Sequence, residues 1–105
     1  MDIPIDYNQA DYIMSRRNKF TLKNKRSTYL RRINDTIEMV YHNTPVVTYH
    51  PDNTISLNSG GYHTVTTKAR MNSALGNKGY VFQKNHKWYF HANGFSHSFI
   101  DGIRI

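Results

Sequence analysis

From Ser27 onward, short runs of β-forming residues are separated by turn residues, and this spacing limits the possible folds more than any other feature. Within the run 37–41, Ile37, Met39 and Tyr41 alternate with their neighbours as in a half-buried strand. Strands joined by such short connections pair with their chain neighbours in antiparallel order. The sequence therefore predicts an antiparallel meander with turns at Asn34-Asp35, Asn43-Thr44-Pro45, Pro51-Asp52-Asn53 and Asn85-His86.

One helical pattern interrupts these strands. Val65 and Leu75 lie on its apolar face, Thr66 or Thr67 is the expected N-cap, and Gly76 is a natural stop. The fold class is therefore α+β: an antiparallel sheet of about five or six strands with one short α-helix packed on it. The predicted strands lie at residues 28–33, 37–41, 46–49, 54–57, 80–83 and 87–90, with a last short one at 95–99.

The first 26 residues differ from the rest of the chain. They are polar and charged, without a sustained hydrophobic period, although residues 7–17 favour a short helix capped by Asp6 or Asp11. A chain of 105 residues is long enough for one domain with a modest core. We therefore expect a basic, partly disordered or helical N-terminal arm over 1–26 and a single α+β domain over 27–105.

Composition excludes several classes of site. The chain has no cysteine, so disulfides and thiolate zinc sites are not available, and a cytosolic location fits. No apolar run approaches the roughly 18–20 residues needed to span a bilayer. The N-terminus has neither the basic start nor the apolar segment of a signal peptide.

Positive charge is concentrated in one segment. The chain carries 14 Lys and Arg against 7 Asp and Glu, and no acidic residue lies between positions 16 and 32. Such density favours a polyanion or an acidic partner, and nucleic acid is the commonest polyanion in a cytosol. The alternative is a solvated arm that only keeps the protein soluble. The candidate contacts to phosphate in this segment are Arg16, Arg17, Lys19, Lys23, Lys25, Arg26, Arg31 and Arg32.

A second candidate site follows the fourth predicted strand. There, two glycines, several hydroxyl residues and a basic helix start come together, which is the chemistry of an anion site built from backbone N–H groups and a helix N-terminus. Lys68 and Arg70 are expected in the first helical turn, where cations are unfavourable unless an anion relieves them. A structural turn followed by a capped helix explains the same glycines and threonines without a ligand. The candidate residues are Ser59, Gly60, Gly61, Tyr62, Thr64, Thr66, Thr67, Lys68 and Arg70.

The six histidines do not form a local metal motif, although His42 and His50 are placed to meet across adjacent strands. No set of nucleophile, base and orienting group is visible, so we expect neither an enzyme nor a cofactor nor a metal site. A metal-free nuclease that uses His63 with Lys68 or Tyr62 stays open.

Aromatic residues cluster late in the chain. Alternation assigns Trp88, Phe90 and Phe82 to an inner, core face. Tyr62 and Tyr89 are better placed for exposed stacking on single-stranded bases.

A distinctive pattern lies in five segments: Tyr29-Leu30, 42–52, 57–68 (which contains Ser59-Gly60-Gly61-Tyr62 and Thr66-Thr67-Lys68), Arg70-Met71-Asn72 and Trp88-Tyr89. In these segments the chain resembles a family of small proteins of tailed bacteriophages. The similarity extends over about residues 28–90, and this chain has Tyr62-His63 where the family pattern has Trp-Arg. The resemblance implies a phage protein that acts in the infected bacterium during takeover or against host defences, and it assigns no catalytic residue.

Two functions therefore remain open. In the first, a phage accessory protein binds nucleic acid through the basic arm and the loop at 59–70. In the second, the protein inhibits a host defence or nucleic-acid-processing protein, as anti-CRISPR proteins do, by protein–protein binding. Both place it in the host bacterial cytoplasm, without a membrane partner, and an exposed strand edge suggests a homodimer.

Overall fold

The computed structural model describes residues 3–23 and 25–105. The fold is α+β, as predicted, with two helices and two antiparallel sheets. The helices are α1 (Tyr7–Met14) and α2 (Val65–Leu75); the strands are β1 (Lys19–Thr21), β2 (Thr28–Ile33), β3 (Thr36–Tyr41), β4 (Thr44–Tyr49), β5 (Ile55–Leu57), β6 (Tyr80–Lys84), β7 (Lys87–Ala92), β8 (Phe95–Ser98) and β9 (Ile103–Arg104).

The larger sheet is the predicted meander, extended at both edges. Its six strands run in the order β1-β2-β3-β4-β5-β9, and each pair is antiparallel. A two-residue turn, His42-Asn43, joins β3 to β4, with positive φ values of 48° and 68°. Both residues of a type I′ hairpin turn have positive φ, which suits the twist of the strands. The sequence did not predict the short edge strands β1 and β9.

The last hairpins form a separate sheet. Strands β6, β7 and β8 pair only with one another within the described residues, so the predicted strands divide between two sheets. Helix α2 separates β5 from β6 along the chain, and its Asn72 side chain connects the helix to the smaller sheet. The Asn72 amide donates to the carbonyl of Val81 at 2.9 Å and accepts from the Val81 N–H at 2.7 Å.

Both helices are capped by side chains. The Asp6 carboxylate accepts from the Gln9 N–H at 2.8 Å at the start of α1, which confirms one of the two predicted caps. Thr64, rather than the predicted Thr66 or Thr67, caps α2, because its hydroxyl accepts from the N–H of Thr67 at 3.1 Å. The predicted end of α2 at Gly76 is confirmed.

One apolar core contains side chains from both helices and both sheets. Ala10 and Met14 of α1 are fully buried in it, so much of the segment expected to be an arm packs on the larger sheet. Trp88 and Phe90 are buried as predicted, but the assignment of Phe82 to the inner face is wrong. The largest fully buried side chain, Tyr49, donates its hydroxyl proton to the carbonyl of Pro4 at 2.7 Å.

Neither helix has the length and apolar composition that crossing a bilayer requires, within the residues that the structure describes.

Candidate nucleic-acid interface

A pocket of about 500 Å³ lies where the loop before α2 meets the turn between β3 and β4. The loop and the first turn of α2 form one wall, and the β3–β4 hairpin forms the other. Hydroxyl groups and aromatic rings dominate the lining, which gives the pocket both hydrogen-bonding groups and flat apolar surfaces. The lining residues are Tyr41, His42, Thr44, Ser59, Tyr62, Thr64 and Thr67.

Gly60 determines how closely the loop approaches the hairpin. Its φ is +63°, and a Cβ built on it would lie 2.8 Å from both Cγ2 and Oγ1 of Thr44. Gly61 also has a positive φ, +83°, but a Cβ there would meet no atom within 4 Å. Gly60 is therefore required for backbone conformation and for close packing, whereas Gly61 is required for conformation alone.

The backbone N–H groups of residues 59–62 are bonded within the protein. The Ser59 N–H and hydroxyl both donate to Asp101 Oδ1, at 2.7 and 2.8 Å. The next three N–H groups donate to Asn58 Oδ1, Ser59 Oγ and the Ser59 carbonyl. These four N–H groups therefore point at protein acceptors and not at an anion, in contrast to the expectation for the two glycines.

Three aromatic rings line this pocket, and one cationic group lies next to it. The rings of Tyr41 and His42 lie 4.4 Å apart, and Tyr62 is 69% exposed on the loop. Arg70 lies past the first turn of α2, contrary to the prediction. Its guanidinium carbon is 5.7 Å from the centre of the Tyr41 ring, and its Nε donates to the Thr28 hydroxyl at 3.1 Å.

A second pocket, of about 300 Å³, adjoins the first through His42. It lies along edge strand β1, where the Lys19 ammonium is 4.4 Å from the centre of the Tyr29 ring. Arg70 connects the two pockets, since it contacts Thr28 of the second and Tyr41 of the first. We call the combined surface the basic groove. The second pocket is lined by Lys19, Thr21, Ser27, Thr28, Tyr29, His42 and Asn43.

Of the eight basic residues in the 16–32 segment that were predicted to contact phosphate, two form ion pairs within the protein. Arg31 Nε lies 2.8 Å from Glu38, and Arg32 lies 2.7 Å from Asp11. The hydrogen bond to Glu38 raises the pKa of Arg31 above its usual value. These two charges are already compensated, so they are weaker candidates for binding an anion.

The other six basic residues of the segment form no ion pair among the described residues. Lys19 lies in β1, and the other five lie before or after it along the chain. The guanidinium carbon of Arg17 is 5.4 Å from the centre of the Phe20 ring. Lys25 is half-buried and the remaining five are exposed: Arg16, Arg17, Lys19, Lys23 and Arg26. Of these six, Lys19 lines the basic groove, whereas Arg16 lines a separate pocket with Asp11 and Arg32. On α2, Lys68 and Thr66 are half-buried and do not line either pocket.

Sequence reasoning missed the contribution of the β3–β4 hairpin. His42 lines both pockets, and Thr44 supports Gly60. The turn pair His42-Asn43, which favours positive φ, was the available signal. It indicates a hairpin, but it does not indicate which loop packs against that hairpin.

The histidines lie in different parts of the fold. His42 and His50 do not meet across strands as expected, because they lie at opposite ends of β4, and His50 Nε2 lies 2.8 Å from Ser56 Oγ. His63 stacks on Trp88 with ring centres 4.4 Å apart. Across residues 3–23 and 25–105, no group of three or more His, Asp or Glu side chains is placed to share a metal ion.

The chain matches a known protein family. The family model described as the Kyanoviridae Gp96 protein matches residues 4–105. No curated protein matches the chain, and no solved structure does. The match therefore extends over both sheets and both helices of the fold.

Proposed function

The chain belongs to the Kyanoviridae Gp96 family of phage proteins, and we propose that it is an accessory protein that binds nucleic acid in the host bacterial cytoplasm. One observation carries this proposal: the basic groove combines cations with aromatic rings. Lys19 and Arg70 each lie close to a tyrosine ring, and Tyr62 is exposed beside them.

The groove has the chemistry that a nucleic acid strand requires. Lysine and arginine neutralise phosphates and release counterions, while flat rings accept bases. The pocket of about 500 Å³ at its end is of the size that proteins use for small ligands, and it is large enough to accept an unstacked base. Arg17, Lys23 and Arg26 are exposed and lie close to β1 along the chain, so they add positive charge to this part of the protein.

A salt titration tests the proposal. Binding of single- and double-stranded DNA and RNA is measured for the wild type and for Lys19→Gln between about 50 and 200 mM salt, where phosphate contacts dominate affinity. The affinity of the wild type should fall steeply with salt. If Lys19 contacts a phosphate, Lys19→Gln should lower the slope of log K against log salt by about 0.7–0.9.

Arg104→Gln is the matched control. It removes one positive charge from β9, at the opposite edge of the larger sheet, where Arg104 is paired with Asp52 at 3.0 Å. The control should keep the wild-type slope. Absence of binding at low salt, or equal effects of the two substitutions, would refute a role for the groove.

A second proposal follows from the exposed apolar side chains at the start of α2. Tyr62 and Val65 are 69% and 77% exposed within four residues of each other. Tyrosine is a typical anchor in protein interfaces, and the exposed side chain of Val65 adds apolar surface beside it. An inhibitor of a host defence or nucleic-acid-processing protein would bind one bacterial protein tightly and nucleic acid weakly. Tyr62→Ala should then abolish that protein complex, whereas Lys19→Gln should have little effect.

Self-association remains a prediction. All four residues of β8 are exposed, and β8 is an edge strand of the smaller sheet within the described chain. Exposed edges are templates for pairing with a second strand.

A further inference from the structure

Four aromatic rings lie on the outer face of the smaller sheet. Tyr80 is directly opposite His91, and Phe82 is directly opposite Tyr89. Alternate residues of a strand point to one face, so all four side chains share the same surface. We call these four residues the ring platform.

The ring platform does not belong to the core. The inner face of the same sheet supplies Val81, Trp88 and Phe90, which are almost fully buried. Phe82 and Tyr89 are half-buried, and Tyr80 is 49% exposed. The core therefore does not explain why the outer face carries rings.

The rings pack against one another in a continuous row. The centres of Phe82 and Tyr89 are 5.5 Å apart with an interplanar angle of 23°, so this pair is stacked. Tyr80 lies 5.7 Å from Phe82 and 5.1 Å from His91. Mutual contact restricts the rotation of the rings, so a ligand that stacks on them loses less conformational entropy.

The charge on this face favours an anionic ligand. Lys84 and Lys87 are directly opposite each other beside the ring platform, and like charges in that position repel. The sequence contains no Asp or Glu from residue 53 through residue 100 that could compensate them. On the other side of β7, the exposed Ser96 and Ser98 are opposite His91 and Tyr89 and add hydroxyl groups to the same face.

We infer that the ring platform binds the bases of single-stranded nucleic acid by stacking, while Lys84 and Lys87 contact its phosphates. The inference rests on the proposed function and narrows it, because only a single strand exposes the faces of its bases to a flat protein surface. On this one surface the rings can stack on bases, the lysines can contact phosphates and the serine hydroxyls can bond to sugars.

The test compares two ligands of equal length and charge. One is an oligothymidylate of about 12 nucleotides, and the other is the same backbone without bases. The wild type should bind the oligothymidylate more tightly than the abasic strand. Tyr89→Leu should weaken binding of the oligothymidylate by about 5- to 150-fold, the range expected for loss of one stacked base. It should leave binding of the abasic strand unchanged.

Two further variants separate stacking from other effects. Tyr89→Phe keeps the ring and should retain wild-type affinity. Tyr12→Leu makes the same change as Tyr89→Leu at a residue that is 84% exposed on α1, and it should have no effect. The circular dichroism spectrum of each variant reports whether it is folded.

The possible outcomes distinguish this inference from the proposed function. Equal binding of both strands, with no effect of Tyr89→Leu, would overturn the ring platform and leave phosphate binding at the basic groove in place. Sensitivity to Tyr89→Leu together with indifference to Lys19→Gln would support the ring platform and remove the groove. Absence of binding by the wild type would overturn both.

Discussion

Gly60 packs so closely against Thr44 that an added methyl group should measurably destabilise the protein. In Gly60→Ala, the new Cβ would lie 2.8 Å from two atoms of Thr44, in a residue with φ of +63°. The left-handed conformation costs an L-residue roughly 1–2 kcal/mol, and overpacking typically adds about 1–3 kcal/mol. The free energy of unfolding should therefore fall by about 2–5 kcal/mol.

Gly61→Ala isolates the backbone contribution. Its φ is +83°, but the added Cβ meets no atom within 4 Å, so only the conformational cost of about 1–2 kcal/mol applies. The two substitutions are at adjacent positions, and the difference between their free energies of unfolding measures the steric contact. Equilibrium unfolding in urea gives both values, provided that the m-value does not change.

A double variant completes this test. Thr44→Ala removes both clashing atoms and leaves only its Cβ, 3.4 Å from the position of the new methyl group. Gly60→Ala should therefore cost about 1–3 kcal/mol less in the Thr44→Ala background than in the wild type. If Gly60→Ala is no worse than Gly61→Ala, or if Thr44→Ala gives no recovery, the loop is not held against the hairpin as described.

Two other contacts give sharp expectations. Tyr49→Phe leaves the carbonyl of Pro4 without its donor and should lower the free energy of unfolding by about 1–3 kcal/mol, whereas Tyr12→Phe should change it by less than about 0.5 kcal/mol. Burial raises the pKa of Tyr49, so the stability that this residue contributes is present below about pH 10 and is lost as the pH rises further. Tyr49→Phe should therefore lose less of its free energy of unfolding at alkaline pH than the wild type loses. Equal pH profiles for the two proteins would contradict this. Asn72→Ala breaks both bonds to Val81 and should cost about 2–4 kcal/mol in urea unfolding, while a cost below about 0.5 kcal/mol would mean that the amide does not connect α2 to the smaller sheet.

The sequence predicts the hairpins well because their turns are local. The predicted strand at 28–33 has the same bounds as β2. The turn residues Asn34-Asp35 follow it directly and mark its end. The register of the β6–β7 hairpin was also readable. With Asn85-His86 as a two-residue turn, Lys84 must face Lys87, and Phe82 must then face Tyr89. Phe82 was assigned wrongly because alternation was considered within its own strand, without the pairing of Phe82 with Tyr89 across the hairpin.

The division into two sheets could not be predicted in this way. Periodicity indicates which face of a strand is buried, but it does not indicate which strand lies beside it after a helix. Strands β1 and β9 have three and two residues, too few to show alternation. Their positions depend on pairing with β2 and β5.

The candidate site was predicted only where its residues are close in sequence. The loop and the first half of α2 lie within residues 59–70, and their hydroxyl and glycine pattern was visible. The partners that shape them are distant: Asp101 bonds Ser59 from 42 positions away, and Thr44 packs on Gly60 from the β3–β4 turn. Local patterns carry no information about such contacts.

The order of strands also separates early from late events in folding. Strands β2 to β5 join through short turns, and hairpins of this kind close rapidly because little chain entropy is lost. Pairing of β9 with β5 and the bond from Asp101 to Ser59 close a much longer segment of chain. We therefore expect the loop at 59–62 to reach its final shape when β9 docks, and the basic groove to be completed only after the meander has formed.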